Sequence, residues 1–72
     1  SNGVSKVPVI LVTRVQPGSA AFRLGLRGGD VIIGANRKRV GTVAELVALL
    51  RGSEHAVLNL LRGDFLLNIA VR

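Results

Sequence analysis

The chain has to fold around a small core that is almost entirely aliphatic, because it is 72 residues long, has only two aromatic residues and contains no cysteine. A chain of this size buries only about 60% of the surface that it exposes when unfolded, so its core supplies a small stabilising free energy. Disulfides, which reinforce many small domains, are excluded here. The composition is accordingly 49% hydrophobic and only 3% aromatic. The length allows one domain with one core.

The spacing of apolar segments predicts a mainly β fold with two helices (α+β). Short β-branched and apolar runs lie between turn signals, which predicts strands at 9–15, 31–35, around Val40, at 56–61 and at 65–71. Ser19 is a candidate N-cap for a short helix over 20–24 that ends at Gly25. The capping-box pattern TVAE at 42–45 predicts a longer helix over 43–51 that ends at Gly52.

The longer helix carries two apolar lines. Val43, Val47 and Leu50 are spaced i, i+4, i+7, and Leu46 and Leu49 form a second line beside them. One line is enough to pack a short helix onto a small sheet. Two lines indicate either a helix that is deeply buried or a helix whose first line borders a groove, and periodicity leaves both interpretations open.

Few side chains are suited to catalysis or to metal binding. The chain has four acidic residues, one histidine and no cysteine, and a single histidine does not make a zinc site. Ser53, Glu54 and His55 are adjacent in a predicted loop, and adjacent loop residues rarely converge into a catalytic triad. Asp30 lies in a Gly-rich turn and is expected to be a turn residue. We therefore expect no catalytic residue, no metal and no cofactor.

The net charge of +6 raises nucleic acid and anionic membranes as partners. The basic residues are scattered, however, and cluster only at Arg37-Lys38-Arg39. The chain has no Tyr or Trp on which bases could stack, and no apolar run approaches the roughly 18 residues of a spanning helix. We expect no nucleic-acid partner and no membrane insertion. The basic cluster is expected to be a solvated turn, with an acidic protein surface or a polyanion as the alternative.

Several segments, taken in order, resemble one family. They are PGSAA at 17–21, GLRGGDVIIGAN at 25–36 followed by Val40, TVAEL at 42–46 and LLRGD at 60–64. Together they resemble the PDZ domains of the HtrA/Deg family of bacterial periplasmic serine proteases. The likeness covers about residues 9–71 and is greater to the second than to the first PDZ domain of the DegP/DegQ-like members. The Arg62-Gly63-Asp64 adhesion tripeptide is expected to be only a hairpin turn in this context.

The resemblance implies a partly open β-barrel or sandwich of about five strands and two helices, in the circularly permuted order of the bacterial PDZ domains. It predicts a single PDZ domain over 9–72. Residues 1–8 are then a loop before the first strand, in which Ser1-Asn2-Gly3 is consistent with a cloning remnant. It further implies a non-catalytic part of a serine endopeptidase of the periplasm that acts in protein quality control.

The resemblance also implies a peptide site between the first strand and the longer helix, where an extended peptide adds as an extra strand. Carried over to this sequence, the peptide-binding residues are Val9, Ile10, Leu11, Val12, Thr13, Val43, Val47 and Leu50. This favours the groove interpretation of the first helix line. The expected partners are extended polypeptide segments. The alternative is a neighbouring protease subunit, docked through the same surface in an oligomer.

One segment departs from the family, namely the loop that in relatives captures the peptide's terminal carboxylate. The family usually has Gly where this chain has Val9, and Pro8 has no backbone N–H to donate. The charge of Lys6 can compensate for this loss only in part. We therefore expect weak recognition of a terminal carboxylate.

Overall fold

The computed structural model describes residues 7–71, so the predictions about Lys6 and Ser1-Asn2-Gly3 lie outside the described residues. The elements along the chain are β1 (Ile10–Leu11), α1 (Ala20–Leu24), β2 (Val31–Ala35), β3 (Lys38–Arg39), α2 (Val43–Arg51), β4 (Val57–Arg62) and β5 (Phe65–Ala70). Both helices and β2 have the predicted bounds. The strand predicted around Val40 lies just before that residue.

β1 is shorter than predicted, because only two residues of the 9–15 segment form regular ladder pairs, Ile10 with Ile32 and Leu11 with Val31. Past Leu11 the facing chain is the turn before β2. There the Val12 N–H donates to the Asp30 carbonyl at 2.8 Å, and the Gly29 N–H donates to the Val12 carbonyl at 2.6 Å. The segment therefore remains attached to the domain although the ladder has ended.

The sheet is antiparallel throughout, in the order β1-β2-β4-β5, with β3 paired to β2. In the β2–β4 pairing the register advances from Ile32 opposite Leu60 to Gly34 opposite Asn59, which makes Ile33 the extra residue of a β-bulge. The β4–β5 hairpin closes through a two-residue turn, in which Gly63 has a φ of 59°. Arg62-Gly63-Asp64 is therefore a turn segment, as expected.

The helix ends have the predicted caps. The Ser19 hydroxyl accepts from the Phe22 N–H at 3.1 Å, and α1 ends at Gly25 with a φ of 104°. The Thr42 hydroxyl accepts from the Glu45 N–H at 3.1 Å. In a capping box the glutamate carboxylate normally accepts from the N-cap N–H, which would be that of Thr42. The Glu45 carboxylate accepts from the Gly41 N–H instead, so the capping box is shifted by one residue.

One face of the sheet packs on the helices and forms the core face. Its buried residues are Leu26, Ile32, Ala35, Val40, Leu58 and Leu60, and α2 adds Leu46, Leu49 and Leu50. β5 alternates as predicted, because Leu67 and Ile69 pack on this core while Leu66 and Asn68 are exposed. Phe65 is the exception, since its side chain at the turn is 73% exposed. No helix formed by residues 7–71 has the length and apolarity to span a membrane.

Candidate functional site

β1 is an edge strand of the sheet within the described residues, because only β2 pairs with it. In an extended strand, successive residues point their main-chain groups to opposite sides. The N–H and C=O of Val12 point toward the β2 side, where they bond to Asp30 and Gly29. The main-chain groups of Leu11 and the N–H of Thr13 therefore point to the open edge, whereas the Thr13 carbonyl oxygen lies against Gly28, 3.1 Å from where a Cβ atom on that residue would be. The Leu11 side chain is also 59% exposed.

α2 presents one apolar line to solvent and packs the other on the core. Val43 is 63% exposed and Val47 is 37% exposed, whereas Leu46 and Leu49 pack against the core cluster. Leu50 is half-buried and also packs against the core, at the end of the exposed line. No residue of α2 is fully buried. The helix is therefore not deeply buried, which leaves the interpretation in which the first line borders a groove.

The start of β1 and the start of α2 meet at Pro8 and Gly41. A Cβ atom on Gly41 would lie 2.6 Å from both Cβ and Cγ of Pro8, so only glycine allows this approach. Gly41 also donates its N–H to the Glu45 carboxylate at 3.1 Å, as part of the α2 cap. The segment that enters β1 is thus held against the N-terminus of α2.

The eight predicted peptide-binding residues fall into three groups in the structure. Four of them are exposed near β1 or on α2: Leu11, Thr13, Val43 and Val47. Three are half-buried and pack on the core: Ile10, Val12 and Leu50. Val9 is 43% exposed and, together with Val7, lines a different groove on the opposite face of the sheet. The first two groups form the candidate peptide-binding surface.

Sequence reasoning missed the buried charge at Asp30, whose side chain is 1% exposed. Its carboxylate accepts from Arg62 Nε at 2.8 Å and from a terminal nitrogen of the same guanidinium at 2.9 Å, and it also accepts from the Arg27 N–H at 2.8 Å. Arg62 further donates to the Gly25 carbonyl at 2.8 Å. The hydrogen bonds from Arg62 lower the pKa of Asp30 and, reciprocally, raise the pKa of Arg62. Asp30 is therefore a structural anchor as well as a turn residue.

The alternation of side chains between the two faces of each strand is the sequence feature from which this ion pair could have been predicted. Arg62 follows Leu58 and Leu60 at every second position of β4, and Asp30 precedes Ile32 by two positions. Both charged residues therefore fall on the core side of their strands, where an unpaired charge is costly. Opposite charges on the same face of two neighbouring strands predict a pair.

The remaining polar groups do not form a reactive constellation among residues 7–71. The Ser53 hydroxyl donates to the Leu49 carbonyl at 2.8 Å and accepts from the Asn36 side chain at 3.2 Å. No cluster of three or more His, Cys, Asp or Glu side chains that could hold a metal ion occurs in the same range. Ser53 thus contributes to the end of α2 and to its junction with β2.

The comparisons with known proteins agree with this geometry. The model of the PDZ domain family matches residues 11–62, which run from β1 to the end of β4. The chain belongs to the PDZ domain family. A PDZ domain is a non-catalytic module, so the family assignment confirms that this chain is not itself an enzyme.

The relatives of this PDZ domain include periplasmic proteases. A periplasmic serine protease do/HhoA-like protein of Haemophilus influenzae is 46% identical over 56 residues, which cover 76% of this chain and 12% of that protein. The periplasmic serine endoprotease DegP of Escherichia coli K12 is 43% identical over the same coverage. The domain therefore spans about an eighth of the length of these relatives.

A solved structure has the same fold. The HtrA3 PDZ domain, crystallised with the phage-derived ligand FGRWV, superposes on this PDZ domain with a TM-score of 0.75. The two are 27% identical, and the match covers 88% of this chain and 61% of that one. The predicted fold class, an open β fold with two helices like that of HtrA PDZ domains, is thus confirmed.

Proposed function

We propose that this PDZ domain binds extended polypeptide segments for a serine endopeptidase of the HtrA/Deg type in the periplasm. The relatives that it matches are named periplasmic serine proteases, and the PDZ domain of HtrA3 carries a peptide ligand. The domain would hold unfolded or cleaved substrate for a protease domain. This assignment extends to the whole protein what is known only of those relatives.

The proposed mechanism is strand addition at the open edge of β1. The main-chain groups of Leu11 and the N–H of Thr13 point away from β2, so a peptide strand can bond to them. Main-chain bonds of this kind supply affinity without regard to peptide sequence. The free edge of β1 is the single observation that supports the mechanism most strongly.

Side-chain preference would come from the exposed apolar groups beside this edge. Val43 and Val47 offer aliphatic surface on α2, and the contact between Pro8 and Gly41 links α2 to the segment that enters β1. Neither side chain is charged, so we expect peptides with apolar side chains at alternate positions to bind best. Leu50, packed on the core at the end of the line, would form the floor.

Titration of the ¹⁵N-labelled domain with the pentapeptide Phe-Gly-Arg-Trp-Val tests the proposal. We expect amide shifts at Leu11 and Thr13 and along 43–50. Shifts confined to Arg37, Lys38 and Arg39 would contradict it. The alternative function, docking of a neighbouring protease subunit through the same surface, predicts no binding of short peptides and binding of another domain of the parent protein instead.

A further inference from the structure

The face of the sheet opposite the core, here called the outer face, is more apolar than a solvated sheet face normally is. Antiparallel sheets with one buried face usually alternate apolar residues with polar residues on the water side. On this outer face, Ile33, Val57 and Leu66 come from β2, β4 and β5, and the Leu66 side chain is 61% exposed. Val7 and Val9 extend over the same face, and together these residues border a groove of about 730 Å³, the outer groove.

A cationic rim, formed by Arg37, Lys38 and Arg39, borders the outer groove at its β3 end. All three residues are exposed, and the ion pair between Arg62 and Asp30 is the salt bridge that residues 7–71 form, so none of the three has a carboxylate partner in that range. Among residues 7–71, no acidic residue lines the groove. The local field of this face is therefore positive and uncompensated.

The cationic rim is fixed in place by the turn that carries it. Asn36 and Arg37 have φ values of 51° and 64°, which few residues other than glycine adopt without support. The support comes from β4, because the Arg37 N–H donates to Asn59 Oδ1 at 3.0 Å and the Asn36 side chain accepts from the Val57 N–H at 2.9 Å. The rim thus has a set position relative to the apolar floor.

The floor of the outer groove also offers hydrogen-bond donors. Asn59 Nδ2 donates to Asn68 Oδ1 at 2.9 Å, and the Asn59 oxygen already accepts from the Arg37 N–H. The Asn68 side-chain NH₂ group donates to no residue within 7–71, so its two N–H groups are available. Cations and amide donors together call for a ligand rich in acceptor oxygens.

We propose that the outer groove is a second binding site, which takes a polypeptide segment that combines acidic with apolar side chains. Acidic side chains would lie at the cationic rim, and apolar side chains would pack on Val57 and Leu66. The groove crosses the strands β3, β2, β4 and β5, a span of about 14 Å at about 4.8 Å between strands, which about four residues of extended chain cover. Nucleic acid is the less suitable ligand, since no aromatic side chain of the described part of the chain lines the groove.

The test uses the blocked peptide acetyl-Glu-Asp-Glu-Val-Leu-Val-amide, whose ends carry no charge. We expect its titration into the ¹⁵N-labelled domain to shift the amides of Ile33, Asn59 and Leu66. The double variant Lys38→Glu/Arg39→Glu should weaken binding at least about tenfold at low salt. Leu66→Ser, a change at an exposed position, should weaken binding without changing the thermal melt.

The matched control is Arg14→Glu/Arg51→Glu, which changes the net charge by the same amount at exposed residues outside the outer groove. It should change the affinity less than about twofold. The peptide acetyl-Lys-Lys-Lys-Val-Leu-Val-amide should instead prefer the Lys38→Glu/Arg39→Glu variant. Equal losses in the two double variants, shifts confined to 43–50, or displacement of the acidic peptide by oligo-dT at equal concentration would each overturn the proposal.

Discussion

Asp30 joins three parts of the chain at a single carboxylate: the turn before β2, the end of β4 and the segment after α1. Asp30→Asn keeps the size of the side chain but removes the charge that Arg62 and the Arg27 N–H share. We expect it to lower the free energy of unfolding by about 1.5–3 kcal/mol, the usual range for hydrogen bonds to a charged group. Urea denaturation of both proteins measures this directly.

The same carboxylate should make stability depend on acid pH. Arg62 lowers the pKa of Asp30 below its ordinary value of 3.8, so the charged form is favoured in the folded state. The stabilisation is complete above pH 3.8 and is lost as the pH falls through the lowered pKa. The difference in stability between the wild-type domain and Asp30→Asn should therefore shrink from pH 5 to pH 2. A difference that stays constant over this range would show that folding does not lower the pKa of Asp30.

Val47 distinguishes the two interpretations of the α2 face. Val47→Arg should reduce binding of Phe-Gly-Arg-Trp-Val at least about tenfold, because the long side chain can lie across the proposed groove with its charge in water. The melt should stay cooperative, since exposed positions usually change stability by less than about 0.5 kcal/mol. Leu46→Arg is the matched variant on the core side, and it should unfold the domain or destabilise it by about 3 kcal/mol. If Val47→Arg also abolishes the cooperative melt, its side chain faces the core.

At the scale of elements, β2 accommodates β3 only because Gly34 has no side chain. A Cβ atom at this position would overlap the Lys38 carbonyl oxygen, which belongs to the backbone and cannot rotate away. Gly34→Ala should therefore displace β3 and lower the free energy of unfolding by about 1–3 kcal/mol. Gly52→Ala is the control, because Gly52 has a φ of −86° and its Cβ would meet its nearest neighbour at 3.5 Å. It should be neutral or slightly stabilising, and equal losses in both variants would contradict the steric account.

The entry to β1 should be a poor site for a peptide carboxylate. Charge-assisted hydrogen bonds from backbone donors contribute about 1.5–3 kcal/mol, but Pro8 has no N–H and its ring lies against Gly41. An amidated peptide should thus bind within about threefold of its free-acid form, a difference under about 1 kcal/mol. Titration of both forms at one salt concentration measures the ratio. A loss of tenfold or more on amidation would show that the loop captures carboxylates despite Pro8.

The elements differ in how far the sequence could predict them. The bounds of α1 and α2 were predictable because Ser19 and Thr42 cap them through bonds to residues three positions away. The end of β1 could not be predicted, because it depends on the position of Gly29 and Asp30, which face this segment across the sheet. The exposure of Val43 and Val47 on α2 could be predicted from the periodicity of the helix combined with the family resemblance. The outer groove depends on residues of four strands brought together, and no local spacing in the sequence encodes that.

At the scale of the whole molecule, the candidate peptide-binding surface and the outer groove are separate, and among the described residues only the outer groove is bordered by a cluster of cations. The core face packs on the helices, the candidate peptide-binding surface lies on β1 and α2, and the cationic rim borders the outer groove on the opposite face. The net charge of +6 therefore says little about the candidate peptide-binding surface, where the exposed residues Leu11, Thr13, Val43 and Val47 are uncharged. Family membership was predictable from ordered motifs, because each encodes a local structure that the fold requires.

Hydrogen exchange of the β1 amides, with and without saturating Phe-Gly-Arg-Trp-Val, tests strand addition most directly. A peptide strand at the open edge must accept from the outward N–H groups, so the Leu11 and Thr13 amides should exchange more slowly in the complex. The Val12 amide already donates to the Asp30 carbonyl and should change little. This alternation is the predicted result. Unchanged exchange at both Leu11 and Thr13 under saturating peptide would contradict the account.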